Sequence, residues 1–113
     1  MIKTIALMAR RSDVSREEFA RHWVETHAPL VRALPGLRRY VQDHVVDRWT
    51  APGVAPIDGE IDGIAELWFD DPAAMEHAYA SPAAQALAAD GALFIGRITF
   101  YTMDEKALVP VEA

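Results

Sequence analysis

Residues 15–40 decide the fold, and they read SREEFARHWVETHAPLVRALPGLRRY. Ser15, with a glutamate three residues later, is typical of a capping box, so a helix is predicted to begin there. Phe19, Trp23 and His27 recur every four residues and fall on one stripe of an α-helix, which predicts that they are buried. A histidine therefore ends an aromatic stripe that points into the protein.

Proline and glycine divide the rest of this stretch. Pro29 disfavours α geometry at the residue before it, so we expect the helix to break or bend just after His27. The Pro-Gly pair at residues 35–36 predicts a turn. An extended run over residues 37–47 then carries Tyr40 on a predicted second strand.

Further elements follow on both sides of this stretch. Residues 2–9, 62–69 and 96–103 are predicted to be strands. Asp71-Pro72 and Ser81-Pro82 each place a capping side chain before a proline, which predicts two consecutive helices. The order of elements is therefore β-α-β-β-α-β, with the second helix split in two.

This order predicts an α+β domain of the ferredoxin-like class, with a four-stranded antiparallel sheet and the helices on one face. We expect the domain to span residues 1–104 and residues 105–113 to form a C-terminal tail. The other face of the sheet is predicted to be bare, and its candidate residues are Met8, Tyr40, Trp68 and Tyr101. Because that set is too apolar for water, we expect two sheets to meet face to face in a homodimer.

Composition limits the classes of partner. The 113 residues carry 17 acidic and 11 basic side chains, a net charge of −6, which disfavours nucleic acid and anionic membrane surfaces. No long apolar run predicts a transmembrane helix, and no signal peptide is recognised, so a cytoplasmic location is expected. The chain has no cysteine, which excludes disulfides and a cysteine nucleophile.

Two residues are candidates for chemistry. His27 is a candidate acid or base because imidazole titrates near neutral pH; the alternative is a core histidine that holds the bend at Pro29. Tyr40 is a candidate to donate a hydrogen bond to a developing enolate or phenolate oxygen. Its alternative is a buried tyrosine with an ordinary structural partner.

Four residues are candidates for binding a substrate. Trp23 and Trp68 offer flat apolar walls for an aromatic ligand. His44 shares the strand face of Tyr40, so it is expected in the same cavity or at its rim or an interface. Asp62 is expected either to orient the histidine of the first helix or to cap a turn.

The other polar residues are given structural roles. His22 and His27 lie five residues apart, which on an α-helix turns them to different faces, so His22 is expected to face solvent and no metal site is expected. Asp90, before Gly91, is expected to end a helix. Haem bound through His27 or His44 stays open as an alternative.

Several segments together form a familiar pattern: FARHWVETHAPLV, PGLRRY, DGIAELWFDD and a Ser-Pro pair with Asp90 downstream. This pattern, over about residues 2–103, resembles the EthD family of dimeric α+β barrel proteins. In relatives similar to methylmuconolactone methylisomerase, the histidine of the His-Ala-Pro turn and the tyrosine after Pro-Gly line the pocket. The resemblance implies these roles for His27 and Tyr40, whereas the cysteine of that enzyme has no counterpart here.

The residues and the resemblance together imply a cofactor-free enzyme acting on a small hydrophobic oxygenated compound, such as a lactone, a phenol or a polyketide-like molecule. Isomerisation, decarboxylation and oxygenation all begin with a stabilised carbanion, so the reaction type stays open. The alternatives are a non-catalytic dimeric protein that binds such a compound for a partner enzyme, or a haem-binding oxidoreductase. No cofactor is expected for the favoured function.

Overall fold

The computed structural model describes residues 1–109, in which a single four-stranded antiparallel sheet carries helices on one face. The strands are β1 Ile2–Arg10, β2 Arg39–His44, β3 Gly63–Phe69 and β4 Ile95–Met103. They pair in the order β2-β3-β1-β4, and every neighbouring pair is antiparallel. This confirms the predicted ferredoxin-like arrangement. Of the predicted tail, residues 110–113 lie outside the described residues.

In residues 1–109, four α-helices and one π-helical turn form the second layer. They are α1 Arg16–His22, the π-helical turn Trp23–His27, α2 Ala28–Arg32, α3 Pro72–Tyr79 and α4 Pro82–Gly91. The side chains of Ser15, Asp71 and Ser81 each accept a hydrogen bond from a backbone N–H of the first helical turn. The predicted caps therefore define where α1, α3 and α4 begin.

A break or a bend was predicted just after His27, and the break is wrong. The chain stays helical through Pro29 to Arg32. In the π-helical turn, the backbone N–H of Ala28 donates to the carbonyl of Trp23, five residues earlier. Pro29 then falls in the first turn of α2, where the lack of an N–H group costs little.

Alternation along the strands separates two faces of the sheet. The covered face packs against the helices, and its buried residues include Ala6, Met8, Ala65, Leu67 and Phe69. Tyr40 pairs with Leu67 in the strand register and lies on this face too. Met8 and Tyr40 were predicted for the bare face, and that prediction is wrong because the pattern of one strand does not say which side meets the helices. Trp68 and Tyr101 lie on the uncovered face, as predicted.

Charged side chains and one indole ring mark the uncovered face. Lys3 Nζ lies 2.6 Å from a carboxylate oxygen of Glu66. The guanidinium of Arg39 lies 4.7 Å from the ring centre of Trp68, close enough for a cation–π contact. The indole N–H of Trp68 donates to Glu105 at 3.3 Å. The start of the C-terminal segment therefore lies across this face.

The connection between β2 and β3 lies away from the core. Residues 48–60 are exposed throughout, and Trp49 has 82% of its surface exposed. No helix in residues 1–109 has the length and apolarity to cross a membrane.

Candidate functional site

A cavity of about 440 Å³ lies between the helices and the covered face, within the range of small-molecule sites. Its apolar lining includes Ala6, Met8, Val31, Ala65, Leu67, Leu87, Ile95, Ile98 and Phe100. The polar atoms of its lining side chains belong to Trp23, His27, Tyr40 and Tyr79. Ile98 and Phe100 are exposed as well, so the cavity reaches the surface beside β4. Among the described lining residues, His27 is the one side chain that titrates near neutral pH.

The π-helical turn sets the direction of His27. On an α-helix, residues five apart point about 140° away from each other. A turn closed by five-residue hydrogen bonds brings such residues back toward the same face. His22 and His27 accordingly both reach Asp90 at the end of α4, and the prediction that they face different sides is wrong.

Asp90 holds the imidazole of His27. Asp90 Oδ2 lies 2.8 Å from His27 Nδ1, and these side chains are 10% and 9% exposed. A carboxylate accepts hydrogen bonds only, so the proton of a neutral ring sits on Nδ1, and Nε2 keeps its lone pair. Burial lowers the pKa of His27, while Asp90 opposes that change. His27 is therefore a neutral base at neutral pH.

The same carboxylate also contacts His22. The Nε2 atom of His22 lies 3.0 Å from both oxygens of Asp90, and its side chain is 27% exposed. The ring of Phe94 packs on both imidazoles, with centroids 4.5 Å from His22 and 5.0 Å from His27. Sequence reasoning gave structural roles to His22 and Asp90 because their contact joins residues 68 positions apart.

Tyr40 reaches the cavity from β2. Its hydroxyl oxygen accepts a hydrogen bond from Gln42 Nε2 at 2.7 Å, and the same amide nitrogen lies 2.9 Å from the carbonyl of Trp23. The hydroxyl proton of Tyr40 therefore remains available as a donor. Burial raises the pKa of Tyr40, against smaller effects of Gln42 and Trp23. The two residues that the sequence offered as candidates for chemistry, His27 and Tyr40, therefore line the same cavity.

Trp23 forms a wall of the cavity and is fully buried. The edge of its six-membered ring lies against Gly63, and a Cβ at that glycine would overlap ring atoms Cζ3 and Cη2. Its Nε1 atom has no hydrogen-bond partner among residues 1–109. Close approach of the ring to β3 therefore explains why a glycine stands at the start of that strand.

Three predicted binding residues do not line this cavity. His44 is exposed and packs beside Trp23, with ring centroids 4.4 Å apart, so it lies at the rim. Asp62 accepts a hydrogen bond from the backbone N–H of Arg10 at 2.8 Å and holds the start of β3 rather than orienting an imidazole. Trp68 points to the uncovered face because its strand neighbours point to the helices. Within residues 1–109, no three acidic or histidine side chains are grouped to hold a metal ion.

The fold and the cavity together define a ferredoxin-like α+β domain with a histidine–carboxylate pair at an apolar pocket. Solved structures share this fold. A dimeric ferredoxin-like protein of unknown function from Thermobifida fusca superposes with a TM-score of 0.67 at 19% identity, over 90% of this chain and 88% of that one. A Bacillus halodurans protein described as an ethyl tert-butyl ether d (EthD) family protein gives 0.74 at 28% identity, over 94% of this chain and 99% of that one.

The family follows from two further comparisons. The model of the EthD domain matches residues 11–98. An uncharacterised 11.0 kDa protein of Rhodococcus erythropolis, from the thcB-thcC intergenic region, is 31% identical over 96 residues, which are 81% of this chain and 84% of that protein. The chain belongs to the EthD family.

Proposed function

We propose that this protein is a cofactor-free enzyme that moves a proton on a small hydrophobic, oxygen-bearing compound held in the cavity. The observation that carries the proposal is the contact of His27 Nδ1 with Asp90 at 2.8 Å, on a ring that lines the cavity. A buried carboxylate in this position orients the ring and stabilises the imidazolium that forms when the ring takes a proton.

Two groups share the proton transfer. His27 Nε2 removes a proton from a carbon next to a carbonyl or phenolic group, and the electron pair of that C–H bond moves toward the oxygen. Tyr40 donates its hydroxyl proton in a hydrogen bond to the resulting oxyanion. Return of the proton from His27 to a different carbon gives an isomer. In an oxygenation the carbanion reacts with O₂. In a decarboxylation a carbanion of this kind is formed instead by loss of CO₂, and it then takes a proton from water.

The residues that line the cavity favour an uncharged ligand. None of the described lining residues is a lysine or arginine, and burying a charge without a partner is costly. A neutral lactone, phenol or polyketide-like compound meets these conditions, because its carbon skeleton contacts apolar side chains and its oxygen reaches Tyr40.

A deuterium-exchange assay tests the proposal without knowledge of the final product. Panels of lactones, phenols and 1,3-diketones are incubated with the protein in D₂O, and proton NMR follows loss of each acidic C–H signal. We expect the wild type to accelerate exchange in a subset, and His27→Gln to reduce that acceleration by about 10²- to 10⁴-fold. Tyr40→Phe should give a smaller loss. His77→Gln, an exposed histidine of α3, is the matched control.

A non-catalytic binding protein is the competing function, and the largely apolar lining favours it. In that case the same compounds raise the melting temperature of the wild type, yet none of them exchanges faster than in buffer. That result would overturn the enzymatic proposal and retain the cavity as a ligand site.

We also infer a homodimer in which the uncovered sheet faces of two protomers meet. Tyr101 and Met103 of the edge strand β4 are 49% and 40% exposed, and apolar exposure of this kind favours association. Relatives from Thermobifida fusca and Bacteroides fragilis are described as dimeric. Light scattering should give about twice the chain mass of 12.5 kDa. A monomer at micromolar concentration, or a Tyr101→Asp variant that is as dimeric as the wild type, would contradict this interface.

A further inference from the structure

We propose that His22 is a positioning residue that regulates the basic strength of His27 through the carboxylate of Asp90 that both share. The inference deepens the proposed function and rests on it, because the strength of the base at His27 sets the proton transfer. It adds a residue on the protein surface to a reaction that takes place in the cavity.

The geometry makes Asp90 a shared partner. Its Oδ2 atom lies 2.8 Å from His27 Nδ1 and 3.0 Å from His22 Nε2, and its Oδ1 atom also lies 3.0 Å from His22. One carboxylate therefore accepts hydrogen bonds from two rings. Any charge that one ring gains changes the field that the carboxylate exerts on the other.

Solvent reaches the two rings unequally. The side chain of His22 is 27% exposed, whereas those of His27 and Asp90 are 9% and 10% exposed. His22 can therefore take a proton from water directly. A protonated His22 forms an ion pair with Asp90. Its positive charge weakens the negative field that Asp90 exerts on His27, so an imidazolium at His27 is stabilised less.

Among the described residues, the charged groups that shift the pKa of His27 lie on two elements. Asp90 of α4 raises the pKa of His27, and a charge on His22 of α1 lowers it, while burial is the largest effect and lowers it as well. Phe94, packed on both rings, adds an uncharged surface. A lowering of the His27 pKa by a charge on His22 is the direction expected for two rings that contact one carboxylate.

The cluster consequently takes up protons with negative coupling. A proton on His22 makes protonation of His27 less favourable, because both rings contact one carboxylate. A charged His22 therefore keeps His27 in the neutral form that accepts a proton from a substrate.

NMR titration of the imidazole ring signals in the ligand-free protein tests the inference. In His22→Gln the amide still donates to Asp90 but carries no charge. We expect the titration midpoint of His27 to shift upward in this variant and its curve to become a single step. His77→Gln should leave the His27 curve as in the wild type. An unchanged His27 midpoint in His22→Gln would overturn the inference.

Asp90→Asn gives a second, independent measurement. We expect it to lower the His27 midpoint, since burial and any charge on His22 then act without the opposing carboxylate. The response of His27 to the His22→Gln change should become smaller in the double variant. A response of equal size without the carboxylate would overturn the shared-carboxylate route. Because no substrate is used, either outcome is separate from success or failure of the deuterium-exchange assay.

Discussion

The two faces of the sheet each hold a titratable group, and the pKa values of these two groups are shifted in opposite directions. On the covered face, burial lowers the pKa of His27 despite its contact with Asp90. On the uncovered face, the neighbouring carboxylate of Glu66 raises the pKa of Asp43 to about 6, and burial adds to this. Loss of water governs the first site, and a hydrogen bond between two neighbouring carboxyl groups governs the second.

The comparison separates a site suited to chemistry from one suited to association. A neutral base in apolar surroundings keeps its lone pair for a ligand. A cluster of Lys3, Glu66 and Asp43 on an open face instead offers charges that a second sheet can pair or repel. Four changes test this contrast, from the largest expected effect to the smallest.

Truncation of Phe94 should have the largest effect. This ring is 2% exposed and supports the covered face by packing on Phe19 and on both imidazoles. We expect Phe94→Ala to lower the free energy of unfolding by about 3–5 kcal/mol, measured by urea denaturation. The adjacent Leu93 is 61% exposed, so Leu93→Ala should change stability by less than about 0.5 kcal/mol. Equal losses in the two variants would contradict this packing.

A methyl group at Gly63 should have the next largest effect. Its Cβ would overlap the ring of Trp23, so we expect Gly63→Ala to destabilise the protein by about 1–3 kcal/mol and to move a cavity wall. Gly91 is the matched control, because a Cβ there meets Ile95 at an ordinary 3.5 Å. Gly91→Ala lies in a helix and should stabilise by about 0.4–1 kcal/mol. Chemical denaturation of both variants should therefore give changes of opposite sign.

The pH dependence of stability tests His27 directly. Its pKa is lower in the folded chain than the ordinary 6.5, so the unfolded chain binds more protons on the acid side. Stability should fall as the pH drops below about 6.5, and His27→Gln should weaken that fall. Urea denaturation between pH 5 and 7 measures the slope, with His77→Gln expected to match the wild type. If the stability of His27→Gln fell more steeply with decreasing pH than that of the wild type, folding would not lower the pKa of His27.

The smallest effect is expected at Asp43. Its folded pKa of about 6 lies above the ordinary 3.8, so the folded chain binds more protons and stability is lost as pH rises from about 4 to 6. Asp43→Asn should be more stable than the wild type above pH 6, by less than about 1 kcal/mol because the site is exposed. The gain should shrink at pH 4 and in 1 M salt. Asp58→Asn, in the exposed connection, is the control and should not give a gain in stability above pH 6.

Local signals sufficed to predict the order of elements. Ser15, Asp71 and Ser81 cap helices through hydrogen bonds to residues three positions away, and strand alternation depends on neighbours only. The burial of His27 followed from the helical periodicity. The place of Tyr40 beside the same cavity was implied by the family resemblance only, because strand alternation had put it on the bare face. These features depend on short stretches of chain, which a sequence displays directly.

Features that depend on distant partners were missed or misplaced. Asp90 meets His27 across 63 positions, and no local pattern marks that contact. Trp68 was assigned to the pocket although the packing of β3 turns it to the opposite face. The effect of Pro29 was misjudged because the π-helical turn before it changes which backbone groups need a partner.

The π-helical turn also bears on how a site of this kind arises. Loss of one codon between Trp23 and His27 would restore a regular α-helix in which the two histidines lie four residues apart, only about 40° from each other. Both imidazoles would then still point to one side. Backbone winding, as much as residue identity, therefore decides whether a relative of this protein keeps its base. In a relative of equal length whose helix stays regular here, a histidine matched by letter would point about 140° away from His22.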